Sequence, residues 1–215
     1  MGSATVPPIG ARLRNERLRR GMSVRGLARE IGVSASLISQ IETDKSSPSV
    51  STLYAITTAL DVSIEEIFAG GTDGRPEDPG EADLTTPMPA VHRPLEPARS
   101  KRIGPVVTPA LREVLTLDSG VTWELLGQIP DKHVDFLLIT YQPGGTSSNS
   151  GLLMRHSGVE YGYVISGALT LTLGFEVHRL AAGDAVSFDS TTPHAYRNEG
   201  SEPAVGVWFV LERAA

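Results

Sequence analysis

Up to Phe68 the apolar positions recur at helical spacing, interrupted by short polar stretches. The pattern predicts five helices, over 9–20, 24–31, 35–42, 50–60 and 64–68. Ser23, Ser34, Ser49 and Ser63 stand just before the last four, where a serine hydroxyl accepts a backbone N–H that the first turn leaves unpaired. Gly21 and Gly32 end the helices before them. Beyond 105 the period changes to two. Strands are predicted over 112–117, 121–127, 134–142, 160–165, 169–173, 177–180, 185–188, 195–198 and 205–211. Turn sequences such as Asp118-Ser119-Gly120 and Pro143-Gly144-Gly145 separate them. Many short strands at steady spacing indicate an antiparallel sandwich or barrel.

Between these halves the periodicity lapses, and Pro76, Pro79, Pro87, Pro89, Pro94 and Pro97 crowd in beside Gly70, Gly71, Gly74 and Gly80. Such a stretch buries too little apolar surface to offset its ordering entropy, so a linker is expected; the alternative is a loop docked on the barrel through Val91 and Leu95. The division expected is a helical domain over 7–69, a linker over 70–104 and a β-domain over 105–215. The fold class is α+β and multidomain, with an all-α five-helix unit followed by an all-β unit.

A length of 215 residues fits two modest domains. With no cysteine, the chain has neither disulfides nor thiolate metal ligands, as suits a reducing compartment. No apolar run reaches the roughly 18 residues of a membrane span, and the first residues lack a signal-peptide pattern, so a cytoplasmic protein with no membrane partner is expected. The formal net charge of -6 is unevenly spread: 9–45 holds eight Lys/Arg against four Asp/Glu, and 105–215 holds six against twelve. Because salt screens charge beyond about 8 to 10 Å, a basic module on an acidic body can still attract phosphates to one face.

The densest signal runs from Ser23 to Glu42. Leu27, Ala28 and Ile31 give the second helix a buried stripe, Gly32 permits a tight turn, and Val33, Ile38 and Ile41 bury the third helix. The opposite face of that helix offers Ala35, Ser36, Ser39 and Gln40. Such short or polar side chains suit the major groove, where Gln bonds an adenine edge and Ala meets a thymine methyl. Residues 9–68 resemble the helix-turn-helix domain of the phage-repressor-like, xenobiotic-response-element (XRE) family. The segment from Ser39 to Ser49 is close to that family's SQIE-x-G-K-x-x-P-S, with Asp44 where glycine is commoner. If that position needs a positive φ, Asp tolerates it better than most residues. The resemblance implies that Ser34, Ala35, Ser36, Ser39 and Gln40 face bases, that Ser23, Arg25 and Lys45 lie near phosphates, and that an Arg17–Glu42 ion pair joins the first and third helices. Arg12, Arg14, Arg19 and Arg20 read as solvated helix charges. A single such domain contacts few bases, so a homodimer or higher homo-oligomer on a palindromic operator in double-stranded DNA is expected.

The segments Met154 to Gly167 and Gly183 to Asn198 resemble the two motifs of the cupin family, a double-stranded β-helix barrel, over about 105–212. By position, the resemblance implies metal ligands at His156, Glu160 and His194, with Met154 in place of the family's first histidine. A thioether is a poor ligand for hard divalent ions, but two histidines and a carboxylate with open positions form a facial triad. Two readings stay open: a divalent metal site (Fe, Zn, Mn or Ni), or a polar pocket binding a small-molecule effector. Strand parity groups Met154 with His156, and Tyr196 and Asn198 with His194, as pocket residues. His92, His133 and His178 match no motif, and Tyr161, Tyr163, Trp123 and Trp208 read as core or interface residues. The leading function is a ligand-responsive transcription regulator acting as a repressor, with no catalytic residues. The competing one is a mononuclear non-haem iron oxidase or epoxidase using the two-histidine, one-glutamate set.

Overall fold

The structure, a computed structural model, describes residues 9–69, 106–127 and 134–211. The expected linker, with Val91, His92 and Leu95, and also His133, lies outside them. Five helices come first: α1 (Ile9–Arg19), α2 (Val24–Ile31), α3 (Ala35–Glu42), α4 (Val50–Leu60) and α5 (Ile64–Ala69). Their starts follow from local chemistry. Ser23 Oγ accepts from the Gly26 N–H at 2.9 Å, Ser34 Oγ from Leu37 at 3.1 Å and Ser49 Oγ from Thr52 at 3.2 Å. At α5, Ser63 Oγ accepts from the Glu66 N–H at 3.1 Å while Glu66 Oε2 accepts from the Ser63 N–H at 2.9 Å, a reciprocal capping box.

Helix α1 crosses the end of α3 closely enough that a Cβ on Gly10 would sit 2.0 Å from the Ile41 carbonyl oxygen. The Gly10 N–H donates to Asp44 Oδ1 at 3.0 Å, and Asp44 has φ 53°. A left-handed conformation is thus required where the sequence has Asp for Gly, and the Asp side chain anchors α1 in return. Arg17 and Glu42 form the expected pair, with Nε–Oε1 at 2.5 Å and Nη2–Oε2 at 2.8 Å, both residues buried. Arg12 differs from the solvated reading, whereas Arg20 is exposed as expected. The half-buried Arg12 donates to the carbonyls of Ile67 and Phe68 at the end of α5, and Arg20 reaches Asp61 Oδ2 at 3.2 Å.

After a 3-10 turn (Pro109–Leu111) come β1 (Val114–Leu117), β2 (Val121–Gly127), β3 (Val134–Tyr141), β4 (Val159–Ser166), β5 (Ala168–Leu173), β6 (Glu176–Ala181), β7 (Ala185–Asp189), β8 (His194–Arg197) and β9 (Ala204–Leu211). They form a six-stranded sheet ordered β1-β2-β3-β9-β4-β7 and a three-stranded sheet ordered β6-β5-β8. The named pairings are all antiparallel. Strand β1 starts two residues later than expected because the 3-10 turn precedes it. Strand β8 is displaced by one residue: His194 is in it and Asn198 is not. The cause is an isolated bridge in which the Met154 N–H donates to His194 O at 2.8 Å and the His194 N–H to Met154 O at 3.0 Å. No helix among the described residues is long and apolar enough to cross a membrane.

The two units share one apolar cluster, with Tyr54 of α4 against Trp123 of β2 at 5.6 Å between ring centres. The Ser51 N–H donates to Ser147 O at 2.9 Å, and the Asp118 N–H to Pro48 O at 3.1 Å. Arg12 and Glu113 face each other across the same junction. Burial lowers the first and raises the second from their ordinary pKa values, and each one's charge opposes the other's shift. Replacing Glu42 with alanine leaves the Arg17 guanidinium buried without its counter-charge. A loss of about 3 kcal/mol is expected in denaturant unfolding; a change under about 0.5 kcal/mol, typical of surface sites, would show the pair to be incidental.

Candidate functional site

Two surfaces carry the chemistry. On α3, Ile38, Ile41 and Glu42 are buried, whereas Ser34, Ser36, Ser39, Gln40 and Lys45 are exposed, with Ser23 and Arg25 exposed beside them at the start of α2. Ala35 is half-buried and packs partly on the helical core. The hydroxyl oxygens of Ser23 and Ser34 accept their helix-capping bonds; a hydroxyl that accepts keeps its proton to donate.

Inside the barrel, β4 carries Glu160, β8 carries His194, and the segment before β4 carries His156. They are 2 %, 0 % and 6 % exposed, so no charge here is solvated. The ligand atoms of the three lie within 4.8 Å of one another. His156 Nε2 is 2.8 Å and His194 Nε2 2.9 Å from the same oxygen, Glu160 Oε1. The second oxygen, Oε2, accepts from the Tyr196 hydroxyl at 3.1 Å, which accepts from Trp208 Nε1 at 3.2 Å. Trp208 lies across β4 because Gly162 is opposite, where a Cβ would come within 2.7 Å of the indole. Burial by itself would raise the Glu160 carboxyl, but the two imidazoles beside it dominate and hold it at about 2. Burial first, and the Glu160 charge second, push the Tyr141 and Tyr196 phenols above their ordinary range.

The orientation of the imidazoles tests the site for a cation. His194 Nδ1 is 2.8 Å from Thr192 O and His156 Nδ1 is 3.3 Å from Ser157 O. A carbonyl accepts only, so each Nδ1 carries the proton. With Nδ1–H directed at a carbonyl, each ring attracts Glu160 Oε1 only through positive charge, carried either by a second proton on Nε2 or by a cation held among Nε2 of both rings and the carboxylate. His194 Nε2, although 2.9 Å from that oxygen, lies off the hydrogen-bonding line and has no hydrogen-bond partner among the described residues. Backbone carbonyls fixing Nδ1–H while Nε2 faces inward is also how metal-binding histidines are held. The donor set therefore fits a divalent ion.

Met154, Glu160 and Tyr196 line one cavity together with Val50, Tyr54, Trp123, Ile139, Tyr141, Trp208 and Val210, while His156 and His194 meet it through Glu160. Asn198 stands apart from it. Its Nδ2 donates to Tyr141 O at 2.9 Å and Glu202 O at 2.8 Å, and its Oδ1 accepts from the Gly200 N–H at 2.8 Å. Parity had grouped it with His194, but the strand ends before it. Sequence reasoning missed Tyr54 and Val50, whose helical spacing reads as core, and set aside Trp123 and Trp208. Alternation along β2 and β9, where Trp123 and Trp208 take buried positions, was the signal for those two. His178 is exposed, 3.3 Å from Glu176.

Family comparison agrees with this geometry. A helix-turn-helix description matches residues 13–67 and a cupin-domain description matches 137–210. The chain thus carries a helix-turn-helix domain followed by a cupin domain. It is 29% identical over 191 residues to the HTH-type transcriptional regulator PuuR of Escherichia coli, covering 88% of this chain and 86% of that protein. To the HTH-type transcriptional regulator SutR of the same organism it is 27% identical over 195 residues, covering 90% and 89%. A crystal structure of an HTH_3-family transcriptional regulator from Vibrio cholerae superposes with a TM-score of 0.62 at 23% identity, over 96% of each chain, and shows the fold to be shared.

The Asn198 geometry generates a test. Asn198→Ala removes the donor to the buried Tyr141 carbonyl and to the part-buried Glu202 carbonyl, and should destabilise the barrel by about 2 kcal/mol in thermal or denaturant unfolding. Ligand affinity measured on the folded protein should stay within about twofold, and a selective affinity loss would return Asn198 to the pocket.

Proposed function

We propose that the chain is a sequence-specific transcription regulator of the cytoplasm, whose helix α3 reads the major groove of double-stranded DNA and whose barrel responds to a bound small ligand. The observation that carries this reading is the division of α3 into a buried apolar side and an exposed side bearing Ser36, Ser39 and Gln40. Exposed Lys45, Ser23 and Arg25 flank that side and fit phosphate contacts. The whole-length similarity to two regulators supports the same reading. A homodimer on a palindrome follows from the few bases that one α3 reaches.

In the barrel, His156, Glu160 and His194 would hold a divalent ion, and the ion would supply a Lewis-acidic position for an effector. The chain's own residues orient the ligands, keep water out and hold Tyr196 protonated toward Glu160. An oxidase or epoxidase would need room for substrate and oxygen beside the triad. The free cavity volume is about 10 Å³, near the minimum for a single water. An effector meets the same limit, so the preference for a regulator over an enzyme rests on the similarity to two transcription regulators.

Selection of duplexes from a random pool tests the DNA reading, which expects a palindromic winner; failure of any duplex to outcompete a scrambled one would sink it. On the selected duplex, Gln40→Ala should cost about 1 to 3 kcal/mol at one base position and relax preference there. Lys45→Ala should weaken all duplexes alike and reduce the salt slope by about 1. For the barrel, chelator-stripped protein titrated with Co(II) should bind one equivalent per chain, and Glu160→Gln should weaken that binding by at least roughly tenfold. Equal binding by both proteins would remove the triad from the metal reading.

A further inference from the structure

The barrel's buried centre is closed by the DNA-reading domain. Tyr54 of α4 stacks on His156 with ring centres 4.3 Å apart and planes 5° from parallel, and meets Trp123 with the two rings inclined at 63°. Val50, one turn earlier, lines the same cavity as Glu160, Met154 and Trp208. Backbone bonds from Ser51 to Ser147 and from Asp118 to Pro48 fix the start of α4 against the barrel rim. The enclosure also contains unmet polar capacity: Trp123 Nε1 and His194 Nε2 are buried and have no hydrogen-bond partner among the described residues. A free volume of about 10 Å³ leaves no space for a ligand larger than water.

We infer that the ligand site of the barrel is a composite one, roofed by Val50 and Tyr54 of α4, so that ligand entry and release of α4 from the barrel are one event. This rests on the reading of the triad as a ligand centre. The roof helix is also a core helix of the DNA-reading domain, since Leu53, Ile56 and Leu60 are buried there. Its cap, Ser49, follows directly on the Lys45–Pro48 turn that leaves α3. Movement of α4 against the barrel therefore shifts Lys45 and the end of α3 relative to the barrel. A ligand that requires the open arrangement must bias the placement of the DNA-reading surface by its differential affinity for the two arrangements.

Two measurements on the full chain test the roof. In the first, diethyl pyrocarbonate labels histidines in chelator-stripped protein, and mass spectrometry follows His156, His194 and the exposed His178 separately. In the second, Co(II) uptake is followed by visible absorption. Wild type should label His156 at least tenfold more slowly than His178, and its Co(II) uptake rate should level off as the metal concentration rises. Tyr54→Ala should label His156 at least tenfold faster than wild type, with uptake proportional to Co(II). Tyr54→Phe, which keeps the ring stack, should behave as wild type. Should Tyr54→Ala fail to fold, Tyr54→Leu removes the aromatic face while filling most of the volume, and is expected to behave as the open form. Equal His156 labelling in wild type and the folded open variant, or wild-type labelling as fast as at His178, overturns the roof. Tyr54-dependent protection of His156 with no Co(II) bound by any variant supports the roof and overturns the metal reading, so the two fail separately.

Discussion

A carboxylate held ionised in the interior is the constraint around which the barrel is arranged. Glu160 is 2 % exposed, and an isolated charge at that depth would carry a desolvation cost of several kcal/mol. One of its oxygens has two imidazoles beside it, and the other receives the Tyr196 hydroxyl. Each partner needs its own support. The Met154–His194 bridge sets the first residue of β8, Trp208 supplies the donor that orients Tyr196, and Gly162 gives the indole the space to do so. Loss of any one of these supports leaves a buried charge less well compensated.

The same centre explains how the two halves of the chain meet. Tyr54 covers His156 with an aromatic face, excluding water from a site whose electrostatics depend on its absence. Helix α4 therefore belongs to two cores. Leu53, Ile56 and Leu60 bind it to the helical unit, and Val50 and Tyr54 bind it to the barrel. With α4 docked on the barrel, Ser36, Ser39 and Gln40 of α3 stay exposed.

Within the helical unit, buried ties and exposed polar side chains occupy different faces of the same short helices. The Arg17–Glu42 pair and the Gly10–Asp44 contact tie α1 to the end of α3 from the inside. Ser23 and Ser34 cap their helices through the hydroxyl oxygen, and each hydroxyl keeps its proton. Arg12, read from sequence as a surface charge, instead bonds the final carbonyls of α5 and faces Glu113 of the barrel.

Much of this was legible in the sequence, and for a physical reason. Helix limits fell within one residue of expectation because periodicity and serine caps act over three or four neighbouring residues, as at Ser23 and Gly26. Strand alternation was legible on the same basis. His156, Glu160 and His194 were named through motif resemblance, but their convergence on one oxygen depends on the pairing of β4 and β8 with partners distant in sequence. The displacement of β8, which moved Asn198 out of the pocket, came from the long-range bridge to Met154. Nor could the stripe of α4 disclose that Tyr54 faces a histidine of another domain, since an apolar helix face looks alike whatever covers it. The sequence by itself determined the elements, the outward face of α3 and the chemistry available to the barrel. Tertiary structure alone decided which side chains enclose Glu160, because that depends on contacts between segments far apart in the chain.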